Sequence, residues 1–325
     1  MDISKLKKVG VDLATFGTPS GSFTRGIYVT NFSDNASQSV DTIKETTGSL
    51  ANKRVTKSGI DFAPSLTFAL DVGDDDSASI GDFLASVLGL DTGTDEGGGD
   101  FKHIFKVLSS IEPPALNIWS DKDTTNKQAV GLRVGSIKLS LGANEGMIPV
   151  EVTGISQKNS DLASDQTLVF SGAPILTPND ATVIKLGGSD VCFESLEITI
   201  TREQESVRCI GASRYVSNVA SGKSFRIELT ATGLQFANET EYNKFMATTS
   251  SSFELKIVDS DSHYIHIVIP EMFYNTWEGA DISGSDLLRV NIGAIANDED
   301  NSGTPAYVEL LNTYGKRYDT GAVIV

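Results

Sequence analysis

The residues whose spacing comes closest to a known chemistry lie near the C-terminal end. Asp298-x-Asp300-x-Ser302-Gly303-x₅-Glu309 puts oxygen ligands at the first, third, fifth and twelfth places of a calcium loop. The flanks do not suit it. A strand-like run precedes the segment, Pro305 takes the usually apolar eighth place, and Tyr307–Leu311 (YVELL) reads as a strand. The segment is read as an acidic hairpin, with Asp298, Asp300, Ser302 and Glu309 kept as a candidate cation site. His263 and His266 are three apart in SHYIHIVIP, so on a strand they point to opposite faces and do not readily share a metal. His103 sits in a stretch read as helical, with no cysteine or acidic partner nearby in sequence. The acidic run Asp71–Asp76 (DVGDDD) lacks a closing carboxylate and reads as a solvated turn. Cys192 and Cys209 are too few for a disulfide framework and are read as buried thiols. No G-x-G-x-x-G, P-loop, G-x-S-x-G or C-x-x-C occurs. No enzyme and no cofactor are expected.

The composition allows a packed core. Of 325 residues, 39% are hydrophobic and 21% charged, enough apolar surface for two ordinary domains or one large β domain. The net charge of −17 argues against a nucleic-acid reader, which needs Lys and Arg facing phosphate. It leaves room for a surface that nucleic acid passes without sticking. No apolar run approaches the roughly 20 residues that cross a bilayer. The start, MDISKLKKVGVDLATFG, is basic but lacks an apolar signal core, so export by a signal peptide is not expected.

The elements that would carry any site are mostly strands. Period-two alternation marks Gly26–Thr30, Ser136–Leu141, Ile148–Val152, Ser195–Thr201, Ser224–Thr230, Phe253–Val258, Tyr264–Ile269 and Leu287–Ile292. Helical patterning is confined to three stretches. Ser79–Leu88 places Ile80, Phe83, Leu84, Val87 and Leu88 on one face; Phe101–Leu108 and Glu239–Ala247 are the others. Asp91–Asp100 (DTGTDEGGGD) is predicted to be an exposed loop.

One frame occurs twice. SGIDFAPSLT at 58–67 returns as SGKSFRIELT at 221–230, and at the same offset Gly48 falls on Gly211. The matched positions are Gly48, Gly59, Phe62 and Leu66 with Gly211, Gly222, Phe225 and Leu229. Gly59 and Gly222 are read as turn residues opening each copy, and each Phe/Leu pair as one face of a strand. Downstream, ALNIWSDKD (115–123) resembles ELKIVDSDS (254–262), and IPVEVTGIS (148–156) resembles LLRVNIGAI (287–295). The order of features agrees between halves. A duplication follows: an N-terminal arm (1–22), a first unit (23–157), a linker (158–189) and a second unit with a C-terminal strand and tail (190–325).

With these features in place, the chain resembles the tail tube (major tail) proteins of long-tailed bacteriophages, in the form that carries two tube units per polypeptide. The resemblance rests on ETTGSLANKRVTKSGIDFAPSLTFAL with GDFLASVLG behind it, PPALNIWSDKD, VGLRVGSIKLSLGANEGMIPVEVTGIS, SLEITITREQES and NDEDNSGTPAYVELLNTYGKRY. It implies a mainly β fold: two tandem sandwich or barrel domains, each with a flanking helix. It also implies self-assembly into stacked rings around a lumen, laid down on a tape-measure protein, with tail terminator and tail-tip proteins as further partners. DNA would pass through without specific binding, and the protein would reside in the virion tail after assembly in the host cytoplasm. Rings of the family present six units, so two units per chain imply three chains with pseudo-sixfold symmetry. The N-terminal arm and the C-terminal TGAVIV would serve in stacking. The alternative is a surface-binding β-sandwich adhesin or carbohydrate-recognition protein, which would show clustered exposed aromatics. Trp119 and Trp277 instead occur singly, at non-equivalent points, and read as core or interface residues. The inner tube of a contractile injection machine is a third reading, and a calcium-dependent enzyme the last.

Overall fold

The structure is a computed structural model that describes residues 7–43, 54–74, 76–107, 112–121, 126–162, 165–209, 215–235, 239–279, 289–297 and 306–324. The first half holds β1 (Lys7–Ala14), β2 (Arg25–Ile43), β3 (Arg54–Ala69), α1 (Ile80–Leu88), β4 (Gly89–Gly97) and β5 (Asp100–Val107). It continues with β6 (Ala115–Ser120), β7 (Lys127–Gly142), β8 (Pro149–Ile155) and β9 (Lys158–Asp161). Short β10 (Val169–Phe170), then β11 (Ala181–Leu186) and β12 (Ser189–Asp190), lead into the second half. That half holds β13 (Ser195–Val207), β14 (Asn218–Gln235), α2 (Glu239–Ala247), β15 (Ser251–Val258), β16 (Tyr264–Glu278), β17 (Arg289–Asn297) and β18 (Tyr307–Asn312).

The chain is mainly β, and its first unit closes into a six-strand barrel. Antiparallel ladders run β1–β2–β3–β8–β7–β6 and back to β1. Closure removes the strand edges that an open sheet exposes. The second unit repeats much of this order: β13 pairs β14, β14 pairs β17, and β17 pairs the C-terminal part of β16. β11 pairs β15 as β1 pairs β6. Thus residues 7–14 of the expected arm and 181–186 of the expected linker are both built into ladders. One buried apolar cluster runs from Val9 to Tyr318 and is shared by both units. That sharing has a seam. β7 and β13 pair antiparallel over Ser136–Gly142 and Ser195–Thr201, joining the sheets of the two units.

α1 forms where the apolar spacing predicts it. Ser79 caps it, accepting from the Gly81 N–H, and the Asp82 carboxylate returns a bond to the Ser79 N–H at 3.0 Å. Gly89 ends it at φ 99°, a left-handed conformation suited to glycine. α2 also forms as expected, over Glu239–Ala247.

Of the expected helix Phe101–Leu108, the described residues 101–107 are not helical. The segment fits both periods, and Asp100–Val107 forms β5, with His103, Phe105 and Val107 buried. The strand wins because both its edges have ladders, to β4 and to β18. Nor is Asp91–Asp100 a loop throughout: residues up to Gly97 belong to β4, and the turn is carried by Gly97, Gly98 and Gly99, all at positive φ. Gly59 and Gly222 are not turn residues either. Each lies inside a long strand where the register slips: between Ile60 and Lys57 opposite Gln38 and Val40, and between Phe225 and Ser221 opposite Arg202 and Gln204. The repeated glycine lies at a bulge in each strand. Cys192 and Cys209 are exposed free thiols rather than buried ones.

Candidate assembly surface

The joined sheet runs β2–β3–β8–β7–β13–β14–β17–β16, four strands from each unit. Alternation gives it two chemically different faces. One is apolar and buried: Phe62, Leu66, Val152, Ile137, Ile198, Phe225 and Leu229 all point into the core. The other carries small hydroxyl and charged side chains. Strand register aligns them into rows, Ser65–Thr153–Ser136–Thr201–Arg226 and Thr67–Glu151–Lys138–Thr199–Glu228. On this face Lys138 pairs with Glu197 at 2.7 Å and Arg226 with Glu228 at 2.6 Å. These pairs are half-exposed and add little stability. What they do is cancel charge on the four central strands, β8, β7, β13 and β14, where Glu151, Glu197 and Glu228 stand against Lys138 and Arg226.

The sheet ends at two edges. Beyond Val29, β2 has β3 as its one ladder neighbour among the described residues. From Phe273 to Glu278, β16 has β17 as its one neighbour on the same terms. Each edge offers backbone groups to a further strand.

A buried polar network holds the apolar side of this sheet in place. Arg25 meets Asp82 bidentately at 2.7 and 2.9 Å, bonds the Ser77 carbonyl, and lies 4.6 Å from the centre of the Tyr314 ring. Burial works against the Arg25 charge, but Asp82 and the two nearby tyrosines outweigh it and raise its pKa. The C-terminal segment is clamped to the same point. Tyr318 Oη lies 3.0 Å from Ser79 Oγ and accepts from Asn312, while burial holds its phenol neutral. His103 Nδ1 lies 2.9 Å from the Asp91 carboxylate, and its Nε2–H donates to the Tyr314 carbonyl at 3.0 Å, with both side chains fully buried. His103 therefore has an acidic partner, brought to it across the β4–β5 hairpin.

The repeated Phe and Leu residues lie in strands of similar pairing. Phe62 and Leu66 in β3, and Phe225 and Leu229 in β14, face the core from the second strand of a long hairpin. Gly48 and Gly211 lie outside the described residues, as do Asp298, Asp300 and Ser302 of the candidate cation site. Glu309 lies mid-strand in β18, its carboxylate 3.3 Å from His266 Nδ1, with Glu254 3.0 Å from Nε2. His263 reaches Asp100 instead, at 3.2 Å, so the two histidines do not converge. Trp119 is buried. Trp277 packs under α2 against Tyr242, Phe245 and Tyr274, with ring centres 5.5–6.0 Å apart. Sequence patterning alone identified neither edge. The alternation of β7 and β13, with Ser, Thr, Lys and Glu at every outward place, was the available signal for the polar face.

A family model described as phage tail tube protein matches residues 11–310. No curated protein matches the chain.

Proposed function

The chain belongs to the phage tail tube protein family, and from that membership we propose that three copies close a ring and rings stack into the tail tube. The supporting observation is the eight-strand sheet with one ladder neighbour at each end. Pairing the β2 edge of one copy with the β16 edge of the next removes both edges and makes one continuous barrel. Each chain supplies two homologous four-strand units, so three chains give pseudo-sixfold symmetry. The hydroxyl-rich face then lines the lumen. The slight excess of carboxylates over cations on its four central strands offers DNA phosphates no cluster of cationic partners, which suits passage during ejection. A tape-measure protein, a terminator and tip proteins are the partners in this reading, with assembly in the host cytoplasm and no catalytic role. The division into arm (1–22), units (23–157 and 190–325) and linker (158–189) is retained, with β1 and β11 attached to the units they pair with.

Electron microscopy of purified protein tests the proposal. Hollow tubes with three chains per ring are expected. Six chains per ring would refute the count, and a lasting monomer that retains a glycan would favour the adhesin reading.

A further inference from the structure

The two helices occupy the same place in the duplicated unit and yet differ in cover. α1 follows β3, lies on β7, and has all nine residues buried. It reaches across the seam onto β13, where buried Arg202 donates to the Val87 and Leu88 carbonyls at its C-terminal end. α2 follows β14 and lies on β16, the strand corresponding to β7. Among the described residues no strand lies beside the Phe273–Glu278 part of β16 to correspond to β13, and apolar side chains of α2 are left open: Tyr242 is 40% exposed and Met246 63%.

Resting on the ring reading above, we infer that α2 and the β16 edge are half of a contact between copies. The β2 edge of a second copy fills the other half, in the register that β7 and β13 keep inside the chain. The repeat fixes that register. Thr67 and Thr230 are the same place in the two frames; they pair with Glu151 and Gly293, which pair in turn with Lys138 and Thr276. Thr276 therefore stands where Lys138 stands. On the other side, Ser65 and Glu228 are equivalent and pair with Ser33 and Thr199. Lys138 faces Thr199, so Thr276 faces Ser33 of the second copy, Trp277 faces Phe32 and Glu278 faces Asn31.

Side-chain direction supports this register independently. Asn31 and Ser33 lie on the polar face, with Phe32 on the buried one. Glu278 is exposed, while Trp277 points under α2. A slip of one residue would set Phe32 against Thr276 or Glu278 and mix the faces. In the paired state Tyr242 and Met246 lie over the new seam, as α1 lies over the old one.

The experiment uses the full chain with Cys192→Ser and Cys209→Ser, so that the two exposed native thiols form no bonds. Glu278→Cys with Asn31→Cys, oxidised by copper–phenanthroline in assembled tubes, should give covalent dimers and trimers under non-reducing conditions. Glu278→Cys with Ser37→Cys should give almost none. Met246→Glu, at an exposed position, should leave the circular dichroism spectrum and melting of the monomer unchanged while raising the assembly concentration at least tenfold. Tubes of normal yield with no Asn31–Glu278 link, or unchanged assembly of Met246→Glu, would overturn the inference and leave the ring reading intact. A parent chain that forms no ring at any concentration would instead refute the ring reading, and this inference with it.

Discussion

The Arg25–Asp82 pair allows the buried network to be tested by number. Asp82→Asn keeps the shape of the side chain and an oxygen for the Ser79 N–H, so the capping box of α1 survives. What it removes is the charge opposite a guanidinium that is only 15% exposed, at a carboxylate that is 1% exposed. Breaking a buried pair from one side costs about 3–5 kcal/mol. Arg25 retains the Ser77 carbonyl and the Tyr314 ring, which places the expected loss near the low end, at about 3 kcal/mol. For a chain of this size that is a fall in melting temperature of roughly 6 °C. The assay is urea unfolding at pH 7, followed by circular dichroism on unassembled protein. Arg25→Met supplies the second arm. If the pair is the cause, Arg25→Met/Asp82→Asn is no less stable than Asp82→Asn alone, because the double variant no longer buries a guanidinium without its carboxylate partner. A loss below about 1 kcal/mol for Asp82→Asn, or single losses that simply add in the double variant, would refute the reasoning.

Asp71 should make stability depend on pH. Burial, with Asp74 nearby, pushes its carboxyl up to about 7 against the pull of the Gly73 N–H, and its Oδ1 is buried without a hydrogen-bond partner among the described residues. The native state then holds a proton that the unfolded chain releases, so stability falls as pH rises from about 4 to about 7. Asp71→Asn should flatten that slope and stabilise the protein at pH 7.5; an unchanged slope in urea titrations would count against it. Gly81→Ala sets helix preference, about 1 kcal/mol in its favour, against overpacking of about 1–3 kcal/mol. The added Cβ would lie 2.5 Å from the buried Tyr318 ring, so a lower melting temperature is expected and a higher one would show that the ring can move aside. Reversing Glu151, Glu197 and Glu228 to Lys should make tubes retain double-stranded DNA at roughly 50 mM salt and release it at roughly 200 mM. Equal retention by wild-type tubes would remove the lumen role of this face.

Local rules made much of the chain legible. β13 and β14 alternate cleanly because one face is buried and the other solvated, and α1 combines its apolar stripe with a capping Ser79 and a closing Gly89. The repeated frame fell on β3 and β14, each the second strand of a long hairpin with its Phe and Leu buried. The register slip at Gly59 and Gly222 was invisible, because a bulge depends on the partner strand as well as on the glycine. β5 was ambiguous for a similar reason: FKHIFKVL satisfies two periods, and only ladders to β4 and β18 decide between them. The residues that make up the surface were each readable as outward-facing, but their alignment was not. Thr67, Glu151, Lys138, Thr199 and Glu228 share a row only because four ladders fix their registers. The sequence by itself determined most of the strands and the two helices, because these follow from side-chain periodicity along one segment. Tertiary structure alone decided the seam, the two edges and the partner of His103, because each depends on which strands pair and in what register, not on periodicity within one segment.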